Sequence, residues 1–337
     1  MALRGFCLSG NVYPVKEVRR FELPTQYRRL GPLTWIGNDL VDFGWGAIYH
    51  LDGAVSKGPG GFSYRFDRAV SSADGVYTVI YEQLGTKGLI LKNGAIVREI
   101  DRSFYHAEDY EYPVAIFKWM DGQTAIAHCP KEYRRIEIES VETGRPLVSR
   151  RSIPLDIFHS QIQASSDGRY LLSAGWVWHP YDIISVYDLE AVAQRPEVLD
   201  EKWEVSSEVQ ICELSTAAFN DAGQVVIAGQ DDNSDKVISI FLVCDLKSNT
   251  IISKVQLSET AGVLMPVGNY VVGFWQHPKL IDISTGHIVH RWNDINSGHR
   301  NGSTINDQEA KIQLVLDPLH KRFAIGSAEH ITVVELG

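Results

Sequence analysis

Three histidines that each stand close to a proline are, by residue type, the groups best suited to chemistry. They are His128 before Cys129-Pro130, His179 before Pro180, and His277 before Pro278. Imidazoles drawn from three separate segments can ligate a metal such as zinc, but no local spacing in the chain requires one. The alternative is that each His-Pro pair only shapes a bend. The sequence therefore predicts no metal and no cofactor.

Acidic clusters and catalytic motifs lead to a similar result. Asp231, Asp232 and Asp235 lack the glycine and the terminal carboxylate of a calcium loop, so a solvated turn is the simpler interpretation. The chain has no Gly-x-Ser-x-Gly elbow, no phosphate-binding glycine loop ending in Lys-Ser/Thr, and no HExxH motif. A carboxylate pair assembled from distant segments is left open. The sequence does not decide whether the protein is an enzyme. The balance is against catalysis, and no catalytic residue is predicted.

Aromatic residues indicate a binding surface instead. Trp and Tyr bring a large contact area at a low cost in side-chain entropy, and they are enriched at binding hot spots. We predict that the partner-binding residues are Tyr105, Tyr110, Trp176, Trp178, His179, Tyr181, Asp231, Asp232, Trp275 and His277. Segment 176–181, which reads WVWHPY, is the first candidate for a hot spot. The alternative for each residue is that it packs the end of a structural unit.

These residues lie far apart in the chain, so a repeated structure must bring them together. Small turns built from Asp, Asn, Gly or Pro recur near positions 37, 74, 121, 167, 221, 268 and 318, and most gaps between them are 46 to 54 residues. Each turn is followed by a short apolar run without a helical period, which is typical of a buried strand. This spacing lies in the range of propeller repeats. The sequence predicts an all-β, seven-bladed β-propeller of four-stranded antiparallel blades.

A single propeller domain accounts for residues 1–337. The predicted blades span about 33–61, 62–101, 113–150, 157–200, 208–258, 260–293 and 308–336. The last of these has only three strands. We expect an N-terminal strand at about 5–18 to complete it and close the ring, because this pairing would remove an open sheet edge.

The repeated pattern resembles the WD40-like and TolB-like propeller families. Strands end in Tyr187-Asp188-Leu189, Cys244-Asp245-Leu246 and Ile281-Asp282-Ile283, and two of the turns contain Thr143-Gly144 and Thr285-Gly286. The Gly-His and Trp-Asp signatures of true WD40 repeats are absent. The resemblance implies that loops from the second to the third strand, and from one blade to the next, share one face around the channel. That face would collect the predicted binding residues and the polar segment 293–309.

Bulk properties restrict the classes of partner. The net charge of −10 and the pI near 5.6 argue against nucleic acid and against docking on an anionic membrane. Four widely spaced cysteines indicate reduced thiols. The beginning of the chain lacks an apolar stretch of signal-peptide length, and no run approaches a membrane span. We expect a cytoplasmic protein that is monomeric on its own.

The function predicted from these observations is non-catalytic binding of another protein, with a basic partner favoured by the acidic charge. The loop face would carry this role, and an inhibitor or immunity-type protein or a scaffold are specific forms of it. The alternative is a propeller enzyme, similar to a lactonase or a hydrolase, with a metal or carboxylate site in the central channel.

Overall fold

The turns predicted from the sequence connect neighbouring strands, and the turn at Asp167-Gly168 in the fourth blade is an example. The computed structural model describes residues 15–23, 30–62, 64–178, 181–203, 213–231, 237–305 and 312–337. Within it, Asp167 Oδ1 accepts a hydrogen bond from the Arg169 backbone N–H at 3.0 Å. Gly168 follows with φ +71°, a conformation that costs glycine little because it has no Cβ. The chain therefore reverses sharply, and the next strand pairs with the one before.

Strands of this kind form seven separate antiparallel sheets, which we number as blades 1 to 7. Blade 1 consists of β2 (Leu33–Ile36), β3 (Asp39–Asp42), β4 (Ala47–His50) and β5 (Val55–Lys57). Blade 2 consists of β6 (Arg68–Ser71), β7 (Tyr77–Tyr81), β8 (Lys87–Lys92) and β9 (Ala95–Asp101). Blade 3 consists of β10 (Val114–Lys118), β11 (Thr124–His128) and β12 (Glu137–Ser140). Blade 4 consists of β13 (Gln163–Ala164), β14 (Tyr170–Val177) and β15 (Tyr181–Asp188).

The remaining blades follow the same antiparallel order. Blade 5 consists of β16 (Glu213–Phe219), β17 (Gln224–Asp231), β18 (Ile238–Asp245) and β19 (Thr250–Gln256). Blade 6 consists of β20 (Val263–Val267), β21 (Tyr270–Trp275), β22 (His277–Asp282) and β23 (Ile288–Arg291). Blade 7 consists of β24 (Gln313–Asp317), β25 (Arg322–Gly326), β26 (His330–Leu336) and the N-terminal strand β1 (Val15–Glu22).

Pairing of β1 with β26 closes the ring. The two strands are antiparallel, with Phe21 opposite Ile331 and Val18 opposite Val334. Their pairing covers the edge that β26 would otherwise expose. The prediction of a seven-bladed propeller closed by an N-terminal strand is confirmed. Residues 5–14 of the predicted strand lie outside the described residues, and β1 continues to Glu22.

Apolar residues at the blade interfaces supply the core. Seven buried clusters each join two neighbouring blades, so the stabilising contacts run round the whole ring. Phe323 of blade 7, for example, packs edge-on against Phe274 of blade 6, with ring centroids 5.0 Å apart. Burial of apolar area of this kind is the main favourable contribution to folding.

Two blades have three hydrogen-bonded strands among the described residues. In blade 3, a single bridge between Glu139 and Pro146 stands where the outer strand would be. In blade 4, β15 leads into helix α1 (Leu189–Gln194) and a 3₁₀ helix (Pro196–Asp200). Asp188 caps α1 by accepting a hydrogen bond from the Glu190 N–H at 3.0 Å. No helix in the described parts of the chain is long and apolar enough to cross a membrane.

Candidate functional site

A stack of three aromatic rings lies between blades 3 and 4. The rings of Phe158 and Trp176 are nearly parallel, with centroids 4.1 Å apart and an angle of 11° between their planes. Tyr133 lies at 4.1 Å from Phe158 with an angle of 15°. Tyr110 packs its edge against Phe158 at 5.6 Å. Because Phe158, Trp176 and Tyr110 are buried, their rings form a rigid support for neighbouring exposed side chains.

The position of Trp176 differs from the predicted loop. Strands β14 and β15 continue their pairing outward as far as Val177 opposite Tyr181, so Trp176 belongs to a strand. Its backbone also exchanges two hydrogen bonds with Phe158, at 2.9 and 3.0 Å. The hairpin tip is thereby reduced to residues 178–180. Of these, His179 and Pro180 lie outside the described residues.

Exposed aromatic side chains pack against this stack. Trp178 packs edge-on against Phe158 at 5.1 Å, and Tyr105 lies 5.3 Å from Tyr133. The Tyr133 hydroxyl donates to Asp156 Oδ1 at 2.5 Å. The rings of Tyr105 and Trp178 are themselves in edge-on contact, with centroids 6.1 Å apart. We call these two exposed side chains, together with the exposed Tyr181 on the second strand of the same hairpin, the aromatic patch. Trp178 is 39% exposed and Tyr181 is 57% exposed, so both remain available for contact.

His106 packs against both Tyr105 and Trp178 of the aromatic patch. Its ring lies 5.3 Å from Trp178 and 4.7 Å from Tyr105, edge-on in both cases. Its Nδ1 is 2.7 Å from Asp109 Oδ2. The carboxylate holds the imidazole in one orientation, and the imidazole in turn limits the motion of the two aromatic rings.

The other predicted binding residues fall elsewhere. Tyr110 is buried in the stack. Asp231 is buried at the end of β17, with Oδ2 2.5 Å from Lys254 Nζ in the same blade. Asp232 lies outside the described residues. Trp275 and His277 belong to blade 6 and contact the segment that follows that blade. The structure thus brings Tyr105 and Trp178 into contact. Tyr181 belongs to the same hairpin, but its pairing with Val177 places its side chain on the opposite face from Trp176. Asp231, Trp275 and His277 lie on other blades.

Segment 293–305, which we call the cap segment, runs from blade 6 across the mouth of the channel. Two residues of blade 6 hold its first half. His277 Nδ1 is 2.8 Å from the Ile295 carbonyl, and Trp275 packs edge-on against His299. On the far side, the Ile305 N–H donates to the Asp109 carbonyl at 2.8 Å. Ser303 donates to Asp182 Oδ1 through both its N–H and its hydroxyl. The cap segment is therefore fixed at both ends.

A cavity of about 210 Å³ lies beneath the cap segment, surrounded by the inner strands of the ring. Arg68 from β6 and Arg300 from the cap segment line it, and Glu111 lies with them. Arg300 Nη2 is 2.5 Å from Glu111 Oε2, and the Tyr81 hydroxyl donates to Glu111 Oε1 at 3.0 Å. Burial acts to raise the pKa of Glu111, but Arg300, Arg68 and the Tyr81 hydroxyl outweigh it and hold that pKa below its ordinary value.

The residues considered for metal binding and acid–base catalysis have other contacts. His128 is buried, with Nε2 3.3 Å from Glu139 Oε2, and His277 bonds the cap segment. Among the described residues, no group of three or more His, Cys, Asp or Glu side chains is arranged to hold a metal ion. Glu111 is the one carboxylate among the described residues that line the cavity. A second carboxylate, which hydrolysis by an acid–base pair requires, is not among them.

Several residues that build the site have no signal in the sequence. Phe158 and Tyr133 stand in irregular connections, where an isolated aromatic predicts no particular partner. Arg300, Ser303 and Asp182 contact residues more than 100 positions away or on another blade, so local spacing cannot reveal them. The one sequence signal for this part of the molecule is the concentration of aromatic residues in segment 176–181.

Two solved structures are similar to this chain. Virginiamycin B lyase from Staphylococcus aureus aligns with a TM-score of 0.54 at 12% identity, covering 95% of this chain and 99% of the other. The computationally designed Ika8 protein aligns with a TM-score of 0.47 at 13% identity, covering 92% and 96%. At 12% identity, the likeness to the lyase shows the fold alone. No protein-family model matches the sequence, and no curated protein matches it.

Proposed function

We propose that this propeller is a non-catalytic binding protein that holds another protein at the aromatic patch. The observation that carries the proposal is the packing of two exposed aromatic side chains, Tyr105 and Trp178, on a buried stack of rings. Large exposed apolar patches on otherwise soluble folds mark interaction sites, and rigid Trp and Tyr side chains lose little entropy on binding. Trp178 and Tyr181 are the residues expected to contribute most.

A basic partner suits this surface. The chain carries a net charge of −10, which would attract a cationic protein over long range. At contact, Arg or Lys side chains of the partner would lie over the exposed faces of Trp178, Tyr181 or Tyr105, an arrangement that favours cations. An inhibitor or immunity-type protein and a scaffold are the specific roles that require only such a rigid surface.

The enzymatic alternative has less support. The likeness to a lyase at 12% identity concerns the fold, so we carry no activity over from it. The cavity under the cap segment has one carboxylate among its described lining residues. The resemblance to the WD40-like and TolB-like families rests on the repeated turns and on the Asp-Leu and Asp-Ile strand ends, and propellers of those kinds also serve as binding surfaces.

The experiment begins with a photo-crosslinking amino acid at position 104, because Phe104 is 82% exposed and adjacent to Tyr105 in the chain, and this choice leaves Trp178 and Tyr181 in place. Matched probes at positions 120 and 319 replace Met120 and Leu319, which are exposed in first-to-second strand turns on the opposite face of the ring. A protein crosslinked from position 104 and from neither control would then be purified, and its affinity measured for wild type and for Trp178→Ala and Tyr181→Ala. We expect each substitution to weaken binding about tenfold or more, as for a hot-spot residue.

Met120→Ala and Leu319→Ala are the matched controls, and both should bind as wild type does. If the purified partner binds the Trp178→Ala and Tyr181→Ala variants with wild-type affinity, the aromatic patch is not the binding site. An uncharged or acidic partner that binds through the patch would contradict the charge argument while leaving the patch itself in place.

A further inference from the structure

We propose that the cavity beneath the cap segment is a binding site for a small anion, separate from the aromatic patch. Its lining contains the guanidinium groups of Arg68 and Arg300 and the single carboxylate of Glu111, counted over the described residues. The lining is therefore positive within a protein whose net charge is −10. Positive groups enclosed in a region of low dielectric attract an anion more strongly than they would at the surface.

Arg300 has N–H donors that remain available to a ligand. A guanidinium has five N–H donors, whereas the described residues offer Arg300 one partner, the carboxylate of Glu111. Nη2 is the atom that pairs with Glu111, whereas Nε is buried without a hydrogen-bond acceptor among those residues. A carboxylate or phosphate oxygen entering the cavity would supply such an acceptor, and the planar fork of the guanidinium suits either group.

Neutral polar side chains complete the lining. Gln161 donates through Nε2 to the Gly302 carbonyl at 2.8 Å, which ties the inner surface of blade 4 to the cap segment. Gln163 makes a weaker contact of 3.5 Å to the Ala217 carbonyl. These amides supply further donors and acceptors around a bound molecule. The Gln161 hydrogen bond also helps to hold the cap segment over the cavity.

The volume limits the ligand. A protein cavity of about 150 Å³ binds one benzene molecule, so a cavity of about 210 Å³ suits a ligand of roughly that size or slightly larger. Acetate, propionate and inorganic phosphate are within this limit, whereas 2-naphthoate exceeds it. The proposal concerns the class of small anions, and these probes separate a carboxylate from a phosphate.

The test is isothermal titration calorimetry on the full chain at low ionic strength, because salt screens such an interaction. The probes are acetate, propionate, inorganic phosphate, 2-naphthoate and propionamide, a neutral match for propionate. We expect one or more of the three small anions to bind, with no binding of propionamide or 2-naphthoate. Equal binding of propionate and propionamide, or no binding of any small anion, would overturn the proposal.

Two variants locate the site by changes of opposite sign. Arg300→Met should raise the Kd of the bound anion about tenfold or more, because the main donor is lost. Glu111→Gln should lower that Kd about tenfold, because it removes the ionised carboxylate that competes for Arg300. Arg195→Met, which removes an exposed arginine on the outer side of blade 4, is the control and should leave the Kd unchanged. Equal weakening by Arg300→Met and Arg195→Met would indicate bulk charge and contradict a site in the cavity.

Discussion

Asp182 accepts two hydrogen bonds from Ser303, a residue 121 positions later in the chain. The Ser303 backbone N–H lies 3.0 Å from Asp182 Oδ1, and its hydroxyl lies 2.5 Å from the same oxygen. The contact fastens the cap segment to the base of the β14–β15 hairpin. Since that hairpin also carries Trp178 and Tyr181, one carboxylate links the covered channel mouth to the aromatic patch.

Replacing Asp182 with Asn should stabilise the protein at neutral pH. Burial raises the pKa of Asp182 to about 6, Glu213 adds to this, and the Ser303 hydrogen bonds and Arg300 oppose it. The folded state thus holds the proton to a higher pH than the unfolded state, so stability is lost as pH rises from about 4 to about 6. We expect Asp182→Asn to gain about 2 kcal/mol at about pH 7.5, with most of the gain absent at about pH 4.5.

Urea unfolding at the two pH values measures this difference. Asp221→Asn, in an exposed turn of blade 5, makes the same change in net charge and is the control. If Asp182→Asn and Asp221→Asn show the same pH dependence, the burial of Asp182 does not cost stability.

Substitution of the two tryptophans of segment 176–181 should lower the free energy of unfolding by very different amounts. Trp176→Ala removes a buried ring from the stack and should lower the free energy of unfolding by about 3 to 5 kcal/mol. Trp178→Ala removes a ring that is 39% exposed and should cost less than about 1.5 kcal/mol, while it weakens partner binding. Denaturant unfolding of both variants checks the first statement. A larger loss for Trp178→Ala would mean that the exposed ring, and not the stack, supports the hairpin.

The ion pair between Arg150 and Asp200 should matter more than any surface pair. Their side chains are 1% and 2% exposed, with Arg150 Nε 2.9 Å from Asp200 Oδ2. Arg150→Met leaves a buried carboxylate poorly compensated, so we expect a loss of about 3 to 5 kcal/mol in urea unfolding. The double variant with Asp200→Asn should lose less than the sum of the single losses, as expected for directly coupled residues. Arg195→Met breaks an exposed pair with Glu201 and should change stability little. Additive losses at positions 150 and 200 would contradict direct coupling.

The sequence was sufficient for the repeated architecture because each blade carries its own local signal. The Asp167-Gly168 turn and the apolar strand after it follow from residues that are adjacent in the chain. The number of blades follows from the number of such turns. The site depends on contacts between blades, which adjacent residues do not encode. Nothing near Phe158 predicts its stacking on Trp176, because that pairing follows from how far the β14–β15 hairpin extends.

The helix in blade 4 is a second case in which tertiary contacts decide the structure. Segment 189–200 is too short to show a sustained helical period, yet it forms α1 and a 3₁₀ helix in place of an outer strand. Leu189, Val192 and Leu199 bury their side chains in the cluster between blades 3 and 4. Pro196 cannot donate a backbone hydrogen bond to a sheet, which helps to explain why no strand forms there.

The pH dependence of His159 should be opposite to that of Asp182. Burial lowers the pKa of His159 to about 4, and its Nδ1 is 3.0 Å from the Ser173 hydroxyl oxygen. Below its ordinary pKa of 6.5 the unfolded state binds the proton first, so stability is lost as pH falls from about 6.5 to about 4. His159→Asn should cost stability at about pH 7.5, but its deficit relative to wild type should shrink by about 2 to 3 kcal/mol at about pH 4.5. His320→Asn, at an exposed turn, is the control in urea unfolding. A constant deficit for His159→Asn across this range would show that His159 is not a buried neutral imidazole.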